Sequence, residues 1–272
     1  MSAVHPVSVD DPISFAALAA GTANVIMQLS WPEVGHGVVE SRVDSGKVTL
    51  HPIKRARTTF TYLAVSTWGD DDERRAYRRA VNGSHAQVRS TAESPVRYDA
   101  FDPELQLWVA ACLYRGVEDL HHAMYPEVGF RGEHGIYELG HRLASTLQVA
   151  PERWPADRDA FDDFWEQGLA RVHIDATVRE YLTGLTDLTF MPSIVRRLQG
   201  PQHRFFTIGF LPQRFRDEMH FEWTAIQQRR FDRVMRAVGV VNRFAPAPVR
   251  LFPFNVYMAD FRRRLRRGAP LV

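Results

Sequence analysis

The stretch HPIKRARTTFTYLAVSTWG, residues 51–69, has the spacing of an amphipathic helix and sets the interpretation of the whole chain. Its apolar side chains recur at intervals of three and four residues, and it lacks the alternation of a strand. We therefore predict a helix over residues 53–68. Arg55, Thr59 and Tyr62 fall at i, i+4 and i+7, so they share one face of that helix.

The same helical period recurs along the 272-residue chain, and alternating strand patterns are nearly absent. Apolar residues make up 45% and charged residues 24%, enough for a large core under an ordinary charged surface. With no internal repeat or low-complexity linker, residues 1–272 are predicted to form one all-α domain of about ten helices. The predicted helices cover residues 12–30, 53–68, 70–89, 103–125, 135–147, 158–172, 176–185, 193–198, 213–238 and 249–267, with a loop at 41–52 and a short apolar helix or turn at 204–212.

The bulk composition excludes several classes of protein. A net charge of +2 does not call for a nucleic-acid partner. Cys112 is the only cysteine, which excludes a disulfide framework and a cysteine zinc site and fits a reducing, cytoplasmic compartment. The N-terminus lacks the pattern of a signal peptide. The apolar run from Phe15 to Leu29 is interrupted and short for a bilayer span, so we predict a buried helix there and no transmembrane segment.

The segment FRRRLRR, residues 261–267, concentrates positive charge near the end of the chain. Its simplest interpretation is a solvated helix end whose arginines complement the helix dipole. The alternative is peripheral contact with anionic lipid or with an acidic partner. The sequence leaves both interpretations open, and it does not indicate an oligomeric state.

Arg55 and Thr59, one turn apart, are suited to an anionic ligand. The guanidinium supplies charge and the hydroxyl supplies a directed hydrogen bond. The alternative is an exposed arginine beside a threonine that bonds back to its own helix.

His85 lies in the segment VNGSHAQVR, residues 81–89, beside a predicted buried stripe. A histidine in this place is either a ligand or a packing residue whose two nitrogens are satisfied within the core. Spacing alone does not choose between them. His121 and His122 are adjacent and point apart on a helix, and no His-Glu-x-x-His, Walker or Gly-x-Ser-x-Gly motif occurs. The stripe beside His85 consists of Tyr77, Val81, Ser84 and Val88.

Several segments, taken in order, resemble the catalytic domain of the MpaB-type and rubber-oxygenase (latex clearing protein) family. The resemblance extends from about residue 24 to residue 267. Each block is degenerate by itself, and the specificity comes from their order and spacing. The blocks are QLSWPEVGHGVVES, HPIKRARTTFTYLAVSTWG, VNGSHAQVR, VRYDAFDPELQLWVAACL, FLPQRFRDEMHFEWT and APVRLFPF.

This resemblance implies an all-helical, partly globin-like domain around a pocket for non-covalently bound haem b. His85 matches the family's axial histidine, which makes it the expected iron ligand. Arg55 and Thr59 match an Arg-x-x-x-Thr pair expected near the haem, as pocket and candidate catalytic residues. Tyr62, on the same helix face, completes the candidate cofactor-binding set.

The chain departs from the family pattern at two positions, and a third match is loose. Thr58 stands where rubber oxygenases have a lysine, so a distal site closed by lysine is not expected. Ala110 stands where many relatives have a histidine, which predicts a different pocket. Glu40 lies near the position of a suggested catalytic base, with a loop salt bridge as the alternative interpretation.

Three hypotheses about function follow. The first is a haem-dependent oxygenase or oxidase that uses dioxygen on a small apolar, isoprenoid-like molecule. The second is a haem-binding protein without oxygenase turnover, such as a sensor, a carrier or a peroxidase-like protein. The third is a cofactor-free helical binding protein in which His85 is a core residue.

Overall fold

The computed structural model describes residues 12–41, 43, 48–128 and 134–272. Within these ranges the chain forms thirteen α-helices, one short 3-10 helix and no β-strand, which confirms the predicted all-α class. The 3-10 helix spans Pro151–Arg153. The α-helices are α1 (Ala17–Leu29), α2 (Pro32–Val39), α3 (Pro52–Trp68), α4 (Asp71–His85), α5 (Pro103–Met124), α6 (His134–Thr146), α7 (Arg158–Ala170), α8 (Ala176–Thr186), α9 (Ser193–Phe210), α10 (Gln213–Met219), α11 (Ala225–Phe244), α12 (Ala247–Arg250) and α13 (Phe254–Arg267).

Two helices organise the core. α1 packs against both α5 and α9, and α3 packs against α13 and α6. At the centre, the rings of Trp31 and Trp165 stack on Trp108 from α5, with centroid distances of 4.6 and 5.1 Å. Arg171 lies over the Trp31 ring, 3.6 Å from its centroid. The tryptophan stack thereby joins the start of α2 to α5 and α7.

The helices with clear start signals begin where the sequence predicts. Asp70 caps α4 through the backbone N–H of Glu73, whose side chain accepts in return from the Asp70 N–H. Asp102 caps α5 through the N–H of Glu104, and Pro103 occupies the first turn. The predictions for α3 and for α5 to α8 are therefore confirmed to within a residue or two.

Two predicted helix ends are wrong. The first helix begins at Ala17 rather than near Pro12, and the predicted Asp cap lies outside the described residues. α4 ends at His85 rather than Arg89 because the next residues bond to residues 98–100. Arg89 forms an isolated antiparallel bridge with Asp99 there.

The number and division of helices also differ from the prediction. α2 was not predicted, and Gly35 and Gly37, which weaken helix propensity, explain why. α9 is one helix that continues through Pro201, where the sequence predicts two pieces. His220 adopts a left-handed conformation that separates α10 from α11, so the predicted helix over 213–238 is two helices.

The predicted last helix and the predicted loop at residues 41–52 need smaller corrections. Pro248 lies inside the short α12, and the last helix starts at Phe254. In the predicted loop at 41–52, residues 48–50 form a turn, and part of that loop lies outside the described residues. In the described part of the chain, no helix combines the length and the apolar character needed to cross a bilayer.

Candidate functional site

The predicted site residues of α3 occupy different environments. Arg55 is exposed, Thr59 is half-buried and Tyr62 is buried. The Tyr62 hydroxyl donates a hydrogen bond of 2.7 Å to the Leu143 carbonyl, and burial raises its pKa well above the usual range. Tyr62 therefore has the contacts of a core residue, with its polar group already paired.

The adjacent threonines of α3 behave differently. Thr58 donates back to the Lys54 carbonyl at 3.0 Å, one turn earlier in the same helix. Thr59 has no hydrogen-bond partner among the described residues. The back-bonding that was the alternative interpretation for Thr59 is thus found at Thr58, and the Thr59 hydroxyl remains available.

His85 is the last residue of α4 and is half-buried. Its Nδ1 is buried and, within the described structure, has no hydrogen-bond partner. The ring packs edge-to-face against Phe101, with centroids 6.5 Å apart. A buried polar atom without a partner is energetically costly, and a ligand that bonds to Nδ1 would relieve this cost.

Electrostatics link His85 to Arg55. Burial lowers the pKa of His85, and the positive charge of Arg55 lowers it further. The imidazole is therefore neutral at neutral pH, which is the form that binds metals. Arg55 itself is exposed and forms no ion pair with any described residue.

Two further aromatic residues lie within reach of the Arg55 charge. Burial raises the pKa of Tyr77 on α4, and Arg55 and Arg57 oppose that rise. Burial likewise raises the pKa of Tyr181 on α8, opposed by Arg55. Arg55 of α3 is therefore near enough to act electrostatically on side chains of both α4 and α8. Tyr181 was missed by sequence reasoning because it lies far along the chain and in no recognisable motif.

Glu40 belongs to a separate network at the end of α2. Its carboxylate accepts hydrogen bonds from His36 Nδ1 at 3.0 Å, from Ser94 at 2.6 Å and from Tyr98 at 3.0 Å. On its other side, His36 Nε2 lies 2.6 Å from the carboxylate of Asp175 at the start of α8. Burial would raise the pKa of Glu40, but the hydrogen bonds from Ser94, Tyr98 and His36 outweigh it and lower the pKa.

This network gives Glu40 the bonding of a structural anchor between α2, α8 and the 94–98 segment. A carboxylate with a lowered pKa and three donors is a weak base. The spacing of His36 and Glu40, at i and i+4, could have identified that pair from sequence, whereas Asp175 is 139 residues from His36. No group of three or more His, Cys, Asp or Glu side chains in the described ranges is placed to hold a metal ion.

Of the two departures from the family pattern, Ala110 is fully buried in α5 and Thr58 is half-buried in α3. The two adjacent histidines of α5 also differ in exposure. His121, later in α5, is buried while His122 is exposed, as their adjacent positions on a helix predict. Burial, and then the neighbouring His122, lowers the pKa of His121 to about 4.

The fold and these contacts define an all-α protein whose candidate site is the neutral His85 near Arg55, an arginine that forms no ion pair with the described residues. The chain belongs to the family described as ER-bound oxygenase mpaB/B'/rubber oxygenase, catalytic domain, which it matches over residues 13–240. The predicted resemblance is therefore confirmed.

Two mycobacterial proteins are close relatives in sequence. An uncharacterized protein of Mycobacterium bovis is 48% identical over 250 residues, which cover 92% of this chain and 98% of the relative. An uncharacterized protein of Mycobacterium tuberculosis matches with the same identity and coverage. No solved structure matches the chain.

Proposed function

We propose that this protein is a haem b-dependent oxygenase or oxidase that uses dioxygen on a small apolar, isoprenoid-like molecule. Membership of an oxygenase catalytic-domain family supports the reaction class. The observation that supports the cofactor is His85, which is held neutral by burial and by Arg55 and whose Nδ1 has no partner among the described residues. One histidine ligand is sufficient for haem, whereas other metal centres usually need several protein ligands.

His85 and Arg55 fit the chemistry of haem. A neutral imidazole is the usual proximal ligand, and a free guanidinium pairs well with a carboxylate such as a haem propionate. Bound haem supplies the iron that activates dioxygen. The chain itself orients the cofactor through His85, and Thr59 offers a hydroxyl for a polar group in the pocket.

Glu40 and Tyr62 have less direct roles in this proposal. Glu40 would have to release at least one of its three donors to take a proton from a substrate, so we assign it the anchoring of α2 to α8 and to residues 94–98. Tyr62 would hold α3 against α6, because its hydroxyl donates a hydrogen bond to the Leu143 carbonyl. Its ring also contacts Tyr77, with centroids 6.4 Å apart.

A haem-binding protein without oxygenase turnover is the second candidate. Ala110 favours it, because a fully buried alanine offers no hydrogen bond where many relatives have a histidine. The edge-to-face packing of His85 against Phe101 is compatible with the cofactor-free alternative, whereas the unpartnered Nδ1 argues against it.

The decisive experiment is purification after expression with haem supplied, followed by absorption spectroscopy and iron analysis. We expect a Soret band in the wild type and its loss or a marked shift in His85→Ala. His122→Ala removes an exposed histidine and serves as the control with an unchanged spectrum. A Soret band identical in wild type and His85→Ala would falsify the ligand assignment.

Oxygen consumption separates the first candidate from the second. Haem-loaded protein is incubated with an isoprenoid olefin, and products are analysed by mass spectrometry. Uptake of dioxygen with an oxygenated product supports the oxygenase. Haem binding without uptake supports the sensor or carrier.

A further inference from the structure

A cleft of about 530 Å³ lies between the end of α3 and one face of α13. Its volume falls within the range of roughly 300–1,000 Å³ typical of small-molecule sites. One end is apolar and the other carries two guanidinium groups. The lining residues are Trp68, Leu251, Asn255, Met258, Ala259, Arg262 and Arg266.

The register of α13 builds this cleft. Asn255, Ala259, Arg262 and Arg266 fall at i, i+4, i+7 and i+11, so they follow one face of the helix. Phe261 is buried in the core and fixes the orientation of that face. The small side chain of Ala259 leaves room midway between the apolar end and the arginines.

The charges of the cleft leave one cation without a partner. Arg262 pairs with Glu73 through two bonds of 2.7 and 3.1 Å, which fixes its guanidinium at the rim. Asp260, the only acidic residue of α13, pairs with Arg263 and Arg264 instead. Arg266 is exposed and forms no ion pair with any described residue.

This cleft is separate from the candidate haem site. Arg55 and Trp68 lie near opposite ends of α3, and thirteen residues of helix correspond to about 20 Å. Ligand binding in this cleft is therefore independent of the proposed haem function.

We propose that the cleft binds a single amphipathic anion, a molecule with one phosphate or carboxylate group and an apolar chain. The anionic group pairs with Arg266 at one end, and Arg262 adds a positioned donor. The apolar chain lies over Ala259 towards Met258 and Leu251, while Trp68, whose carbonyl accepts from Arg262, lies beside the guanidinium end.

The test is calorimetric titration of the full-length protein with dodecyl phosphate below its critical micelle concentration. Dodecanol and inorganic phosphate each carry one half of the ligand chemistry and should both bind more weakly. Arg266→Gln should weaken dodecyl phosphate binding by about tenfold or more, because it removes a charge-assisted contact. Arg267→Gln, at an exposed neighbour that does not line the cleft, should change affinity less than twofold. Ala259→Phe should abolish binding by filling the cleft.

Several results would overturn the proposal. One is the absence of dodecyl phosphate binding, and another is equal affinity in wild type and Arg266→Gln. Loss of binding in Arg55→Gln with full binding in Arg266→Gln would place the ligand at the other end of α3. Binding only to phosphatidylglycerol vesicles, and not to monomeric dodecyl phosphate, would identify the α13 arginines as a membrane contact instead. Circular dichroism of each variant shows that the fold is retained.

Discussion

The guanidinium of Arg55 on α3 lies close enough to the imidazole of His85 on α4 to depress the pKa of that histidine. The relationship joins two residues 30 positions apart in sequence through charge rather than through a hydrogen bond. Because burial acts in the same direction, His85 is held neutral. A neutral histidine next to a free cation is the arrangement on which the proposed function depends.

The first prediction concerns this pair in the haem-free protein. Arg55→Gln should raise the pKa of His85, because one of its two depressing causes is removed. Burial remains, so the pKa should stay below the usual value of about 6.5. NMR titration of the imidazole measures it. Arg79→Gln, an exposed arginine of α4, should leave the titration unchanged, and an unchanged titration in Arg55→Gln would contradict the assigned contact.

The second prediction concerns the anchoring network. Glu40→Gln should destabilise the fold by about 1–3 kcal/mol at pH 7, because an amide places a donor where the carboxylate accepted three bonds. Urea unfolding measures this loss. Glu222→Gln, at an exposed site, should be nearly neutral. Equal stability of Glu40→Gln and wild type would show that the network contributes little.

The same network makes a pH prediction. The pKa values of Glu40 and Asp175 are lowered on folding, so the stability they contribute is present above their unfolded pKa values. That contribution is lost as the pH falls through the lower folded values. The difference in unfolding free energy between wild type and Glu40→Gln should therefore shrink below about pH 4.

The third prediction uses the two adjacent histidines of α5. The pKa of His121 falls to about 4 on folding, so the unfolded chain binds more protons between that value and about 6.5. Stability from a neutral His121 is therefore complete above pH 6.5 and is lost as the pH falls towards 4, by at most about 3 kcal/mol. His121→Gln should flatten this part of the stability–pH curve. His122→Gln should not, and an equal effect of both substitutions would argue against the burial of His121 as the cause.

The fourth prediction compares two helical glycines. A Cβ at Gly168 would collide with the Trp108 ring, whereas a Cβ at Gly21 would meet nothing within 4 Å. Gly168→Ala should destabilise the protein by roughly 1–3 kcal/mol, because the stacked ring cannot move aside freely. Gly21→Ala should stabilise it by up to about 1 kcal/mol through helix propensity. Thermal unfolding of both variants decides whether close packing or backbone entropy dominates at each site.

Local signals explain how much of the fold was predictable. α3, α4 and α5 combine a helical period with a proline or a capping acid, and these starts are correct. α2 is only eight residues long and two of them are glycines, so its helix propensity is low. A Cβ at Gly35 would press on the Leu29 carbonyl and on Val178, so α2 is packed closely against both α1 and α8. Tertiary packing of this kind stabilises helices of low propensity.

The candidate site was predictable only in part, because some of its contacts join helices that are distant in sequence. Helix register places Arg55 and Thr59 on one face, and the family pattern selects His85. Tyr181 and Asp175 come from α8, and no local rule connects α8 to α2 or α3. Sequence spacing also does not predict that the Tyr62 hydroxyl donates a hydrogen bond to the Leu143 carbonyl.

The stacked rings of Trp31, Trp108 and Trp165 provide an optical reporter of assembly. These rings pack on one another only when the start of α2, α5 and α7 have docked, so near-ultraviolet circular dichroism should show a tryptophan signal specific to the native state. The three residues are distant in sequence, and contacts of that kind form late in folding relative to local helices. Far-ultraviolet ellipticity should therefore appear before the tryptophan signal during refolding, which would distinguish helix formation from the closing of the core.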